Sequence, residues 1–207
     1  MSRVKGFCLR VFLLALWALN PLQAALVSAG PVQLPQTGQQ LCWNAEGAVI
    51  SCSGSGQDGD LKSGASWSAS RFTEQGQTIT DTLTGLMWTK DANAPGAAVC
   101  AIGVPKTWQG AIIHVKCLND SSFLGYNDWR LPNVRELRSL INYGQATPSS
   151  WLEISPGFAN VQEGYYWSSS SFALSLKNAW SVGFWAGGVE VKDKSDNLYI
   201  WPVRAGR

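Results

Sequence analysis

The chain has 207 residues, of which only 14% are charged, with 21 glycines, 11 tryptophans and a formal net charge of +2. So little charge beside so much glycine and tryptophan describes a loop-rich, β-containing domain and argues against a helical bundle. A nearly neutral chain has no global field to gather nucleic acid or an anionic membrane, so those partners are set aside.

Arg3, Lys5 and Arg10 precede an apolar run at 11–19, which is too short to span a bilayer and meets Asn20-Pro21. Small residues follow, so residues 1–29 read as a secretory signal peptide, cleaved after Ala24 or Ala29. The expected product is soluble, secreted or periplasmic, with no membrane span. Cleavage would remove three of the sixteen basic residues and none of the fourteen acidic ones, leaving a net charge of −1.

Export agrees with the cysteines. Cys8 falls in the signal, and Cys42, Cys52, Cys100 and Cys117 remain; in an oxidising compartment four cysteines read as two disulfides. Three pairings are possible. Cys42 with Cys52 and Cys100 with Cys117 is preferred, because each closes a short segment at small entropic cost. A metal-site reading is weak: no C-x-x-C occurs and His114 is the chain's single histidine.

Residues 30–66 read as an N-terminal leader carrying a disulfide hairpin, and 67–207 as the main domain. The stretch 30–40 is polar and extended. Residues 42–52 form a hairpin turned at 44–47, and 53–66 a Gly/Ser/Asp loop. A strand from Arg71, a turn at Gly76 and Thr78-Ile79-Thr80 come next, then a turn at 81–85 and the apolar Leu86-Met87-Trp88. Thr107 caps a helix with Trp108, Ala111, Ile112, Val115 and Leu118 on one stripe. Asn133, with Glu136 three residues on, forms a capping box for a second helix along Val134, Leu137, Leu140 and Ile141, stopped by Gly144 and Pro148. Strands return at 165–168, 179–185, 188–191 and 198–203. Strands, two helices, then strands describe an α+β fold with a mixed, mostly antiparallel sheet and long loops.

Four strings occur in order: Thr84-Gly85-Leu86-Met87-Trp88; Gly125-Tyr126-Asn127-Asp128-Trp129-Arg130-Leu131-Pro132-Asn133; Tyr166-Trp167-Ser168-Ser169; and Trp201-Pro202-Val203-Arg204. Together they resemble the signature of the bacterial Lcl C-terminal domain family. Thr37-Gly38-Gln39, Cys42 and Cys52, and Gly56-Gln57-Asp58-Gly59-Asp60 resemble a leader found in such proteins. The resemblance implies a C-type-lectin-like fold related to the formylglycine-generating enzymes. It also implies glycosaminoglycan binding and cell attachment, as associated with the adhesin that names the family. Fold-level likeness does not by itself assign function.

Trp88, Trp129, Trp167 and Trp201 lie within these strings and are expected in the core. Trp180 and Trp185 flank one strand and should face opposite sides, with Trp185 the better candidate for a ligand-facing indole. The polar stretch 168–178, with Ser170, Lys177 and Asn178, is either a ligand-facing loop or an ordinary solvated one. Lys192 and Lys194 belong to a polar turn at 192–197, where Asp193, Asp196 and Asn197 could offer oxygens to calcium but the lysines oppose a cation. Asp58 and Asp60 are better calcium candidates, although two carboxylates are too few. Arg135 and Arg138 make a local basic patch of the kind a sulfated glycan needs, while Arg130 is expected to pair with Asp128 or Glu136.

Catalysis finds little support. There is no Gly-x-Ser-x-Gly elbow, phosphate loop or metal-ligand cluster, and Asp128, Glu136 and Glu153 have no spacing that selects a glycosidase pair. The expectation is therefore an exported binding or adhesion domain for a glycan or a surface protein, with no cofactor. A structural module of the cell envelope is the alternative; an enzyme would require Cys100 or Cys117 as a free thiol.

Overall fold

The structure, a computed structural model, describes residues 34–206. The expected signal peptide and the start of the expected leader lie outside the described residues. The elements in chain order are β1 (Cys42–Trp43), β2 (Val49–Ile50), α1 (Asp58–Leu61), β3 (Phe72–Gln75), β4 (Thr78–Asp81), β5 (Leu86–Thr89), α2 (Trp108–Asp120), α3 (Val134–Ser139), α4 (Pro148–Ile154), β6 (Tyr165–Ser171), β7 (Asn178–Gly183), β8 (Val189–Asp193) and β9 (Val203–Ala205). Single 3-10 turns occur at Ala98–Cys100 and Phe123–Gly125. The class is α+β, with three antiparallel sheets among the described residues: β1-β2, β3-β4-β5-β9 and β6-β7-β8.

Local chemistry explains the turns and caps. Gly76 takes φ +62° at the first position of the two-residue turn joining β3 to β4, where a side chain would be strained. The Thr107 hydroxyl accepts from Gly110 N at 3.1 Å and caps α2. Asn133 Oδ1 accepts from Arg135 N and Glu136 N at 2.9 Å each, while Glu136 Oε2 accepts from Asn133 N at 2.7 Å. The capping box is formed as its spacing requires.

Both disulfides form in the preferred pairing, Cys42–Cys52 and Cys100–Cys117. The second ties the Ala98–Cys100 turn to α2.

The β6-β7-β8 sheet is packed on both faces. Partners Tyr166, Val182 and Val189 point to one side, where Leu137 and Leu140, from α3 and its C-terminal end, complete the main core. Trp167 and Ala179 point to the other, against Ala111 and Val115 of α2. Trp201 is the aromatic hub of the main core, with Phe158, Trp88, Phe184 and Tyr166 at centroid distances of 4.9, 5.5, 5.5 and 5.7 Å. All four tryptophans of the ordered strings are fully buried.

The remaining strings are structural too. Arg204 lies against the Tyr126 ring and pairs with Asp128 through Nε and Nη2 at 2.6 and 3.1 Å, so the last strand is bolted to the 126–130 loop. Arg130, expected to pair with Asp128 or Glu136, is forked onto Glu136 at 2.8 Å twice.

Several elements differ from expectation. Pro148, read as a helix stop, begins α4 instead, because a missing N–H is harmless at the first helical position. Among the described residues four α-helices therefore stand where two were expected, one of them the short α1 inside the 53–66 loop. The stretch 168–178 is not one loop: β6 continues to Ser171, Ser168 is buried, and the turn is confined to 172–177. The strand expected at 198–203 is instead single bridges at Leu198 and Tyr199 followed by β9. The described part of the leader is tied down: Gln36 N donates to Ala65 O, Tyr143 N to Thr37 O, and the Trp67 indole to Gln36 O.

Candidate functional site

On the face of the β6-β7-β8 sheet that carries Trp167, α2 covers one end and leaves the other open. Tyr165 stands there opposite Gly183, and Glu190 stands opposite Ser181. A Cβ on Gly183 would lie 3.0 Å from Tyr165 Cε1 and 3.1 Å from Trp185 Nε1. Only a residue without a side chain lets both rings settle onto this strand. Trp185 is 53% exposed, so an indole stands in solvent beside the half-buried phenol of Tyr165.

Charge borders the two rings. The Tyr165 hydroxyl donates to Glu190 Oε1. Lys192 Nζ binds Glu190 Oε2 at 2.8 Å and lies 4.3 Å from the centre of the Tyr165 ring. Donation to the carboxylate raises the Tyr165 phenol above its usual value; burial adds to the rise and the Trp185 indole opposes it. Lys192, then Tyr165, hold the Glu190 carboxyl below its usual range, and Glu190 raises Lys192 in return. The arrangement offers an exposed indole beside a phenol whose ring is covered by the Lys192 ammonium and whose hydroxyl meets the Glu190 carboxylate, a combination that can stack on a sugar ring and hydrogen-bond its hydroxyls.

The turn after β7 joins this platform to a second feature. Gly187 N donates to Gly183 O, and Tyr143 donates its hydroxyl proton to Gly187 O at 3.2 Å. Tyr143 also accepts from Arg138 Nε at 3.2 Å and lines a groove of about 530 Å³ with Arg135, Ile141 and leader residues 34–37. Among the described residues neither Arg135 nor Arg138 has an acidic partner.

Residues 77–204 match the family model described as the Lcl C-terminal domain. The chain belongs to this family. No curated protein matches it.

Within this Lcl C-terminal domain the residues singled out from the sequence are dispersed. Trp185 and Lys192 come together; Trp180 lies on the opposite face of its sheet, half-buried against Phe172 at 5.3 Å. Ser170 Oγ accepts from Val134 N at 3.2 Å, at the start of α3. Asn178 Oδ1 accepts from Ser175 Oγ at 2.6 Å, closing the 172–177 turn. Lys194 donates to Ser171 Oγ and Leu176 O and lies 4.2 Å from the Trp108 ring, clamping that turn to α2. Lys177 is exposed, and its carbonyl accepts from Lys194 N at 2.8 Å. Tyr165 and Glu190 were not singled out. The available signal was parity: Tyr165 is two residues before the buried Trp167, hence on the same face.

Two of the calcium candidates, Asp60 and Asp193, are engaged by the protein's own donors. Asp60 Oδ2 accepts from Gly56 N at 3.1 Å, and Asp193 Oδ1 accepts from Ser195 N and Oγ at 2.9 and 2.8 Å. These bonds to Ser195, backbone first, lower the Asp193 carboxyl. Among the described residues no group of three or more His, Cys, Asp or Glu side chains could hold a metal ion.

Proposed function

We propose that this domain binds carbohydrate, with acidic glycans as the best-fitting class, and performs no catalysis. The observation that carries the reading is the exposed Trp185 indole beside the half-buried Tyr165 ring, both seated over Gly183 and edged by Glu190 and Lys192. The arginine groove reached through the Tyr143–Gly187 contact supports the acidic class, because sulfate and carboxylate groups match guanidinium geometry. The family resemblance adds the precedent of glycosaminoglycan attachment and a lectin-like fold. All four cysteines of the described residues are joined in disulfides, which leaves no thiolate to attack a substrate. Export to the cell surface or periplasm is part of the same reading.

Calorimetry with a sulfated glycosaminoglycan hexasaccharide and its desulfated counterpart tests it. The sulfated chain should bind more tightly, lose affinity as salt screens the contacts, and lose that salt dependence when Arg135 and Arg138 are both changed to Ala. Silence with both probes at millimolar concentration would refute it. A surface-protein or assembly partner is favoured by one other observation: Leu174 and Leu176, 89% and 74% exposed on the β6–β7 turn, give an apolar tip. Crosslinking that captures one stoichiometric partner through that turn would support this second reading.

A further inference from the structure

We infer that the cavity beside the β4–β5 hairpin is a second binding site, for an uncharged polyhydroxylated molecule of monosaccharide size. It measures about 390 Å³ and shares no residue with the aromatic platform or the arginine groove. That volume falls in the usual range for small-molecule sites.

Its polar side is built for a donor. Asn93 Oδ1 is buried without any hydrogen-bond partner, and the amide nitrogen of the same side chain reaches only Gly103 O, at a long 3.5 Å. Asp91 Oδ1 accepts from Asn93 N at 2.8 Å, and Thr89 turns its hydroxyl proton away onto Asp91 O. Gln77 and Asn160 bring carboxamides to the rim. A buried acceptor left empty is unfavourable, and a turn of the Asn93 amide toward the cavity would let a ligand hydroxyl satisfy it. Among the described residues no Lys or Arg lines the cavity, so it does not suit the acidic groups that the arginine groove suits. Ile102, Phe123 and Leu124 also line the cavity and give it apolar surface of the kind a pyranose ring lies against.

The backbone around the cavity is held in conformations that need a reason. Ala94, Leu124 and Asn160 have φ of +44°, +55° and +56°, in the left-handed region that side chains other than Asn avoid. All three line or adjoin this one cavity. The frame is firm: Ala92 N donates to Ala159 O, Ala94 N to Ile200 O, and the Trp201 indole to Thr89 O, at 2.8, 3.0 and 2.9 Å. Strain fixed by such surroundings is a form of pre-organisation.

Saturation-transfer NMR on the intact protein, with glucose, galactose, mannose and N-acetylglucosamine as probes at about 10 mM, tests the site. At least one sugar should receive saturation and bind with a millimolar or tighter Kd. Asn93→Ala and Asp91→Asn should each weaken it about tenfold. Asn160→Gly removes a rim amide while placing glycine where φ is +56°, so it should weaken binding at an undiminished melting temperature. Neither Asn93 nor Asn160 belongs to the platform, so loss of binding in both variants locates the sugar in this cavity. No saturation transfer to any of the four sugars, or equal transfer in wild type, Asn93→Ala and Asn160→Gly, would overturn the inference.

Discussion

Trp185→Ala is the substitution that most directly examines the platform. A tryptophan offers up to about 250 Å² of surface, and 53% exposure leaves about 130 Å² of it free in the unliganded domain. A pyranose covers one face of the indole, roughly half of that free area. At about 25 cal/mol per Å² the lost contact is about 1.6 kcal/mol, which weakens glycan binding roughly tenfold. The buried remainder of the ring rests on Tyr165 and Gly183, so truncation also lowers stability, and the melting temperature has to be measured beside the Kd. Calorimetry at 25 °C, far below the transition, isolates the binding effect. Tyr165→Phe serves as the companion: it keeps the ring, releases Glu190 and should shift the Kd less than loss of the indole. A Trp185→Ala protein that stays folded and binds the same oligosaccharide within twofold of wild type would show that the glycan does not stack there, and the reasoning from exposed ring area would fail.

Further predictions concern the scaffold. Arg71 and Asp81 form a buried fork, with 2% and 0% of their side chains exposed and contacts of 2.9 and 2.7 Å. Asp81→Leu should therefore cost about 3–5 kcal/mol in urea unfolding, and adding Arg71→Met should recover much of it, since the stranded guanidinium is what makes the single change costly. His114 is buried with its ring nitrogens 2.9 Å from Cys100 O and Pro95 O, and burial, opposed by those carbonyls and aided by Lys106, lowers its pKa. The unfolded chain then takes up the proton more readily, so stability should be complete above about pH 6.5 and decline below it, by at most about 1.4 kcal/mol per pH unit, until the folded pKa is passed. His114→Gln should flatten that slope in pH-dependent melting. Replacing Cys100 and Cys117 by Ser opens a loop of 17 residues and should lower unfolding free energy by about 3 kcal/mol, read by denaturant titration against the oxidised wild type.

Periodicity and local chemistry made the scaffold readable. The Asn133–Glu136 capping box, the Thr107 cap, the Gly76 turn and both disulfides depend on residues close in sequence, where short-range hydrogen bonding and loop entropy dominate. Burial of Trp88, Trp129, Trp167 and Trp201 followed from their size and their place among strand residues. Pro148 was misread because the same ring that ends one helix is accepted at the start of the next, and only packing after residue 147 chooses between them.

The candidate sites were less legible because each is assembled from distant segments. Tyr165 reaches Glu190 across a central strand only because position 183 lacks a side chain, and nothing near Gly183 in the chain announces that passage. Asn93 is orphaned by neighbours that arrive from residues near 77, 103, 124 and 160. Sequence alone therefore determined the caps, the turns, the staples and the identity of the large core aromatics, all matters of local geometry or bulk hydrophobicity. Which polar and aromatic groups remain exposed, and which meet, was decided by tertiary packing, because solvent access and cross-strand proximity arise only when strands and loops far apart in the chain close around one another.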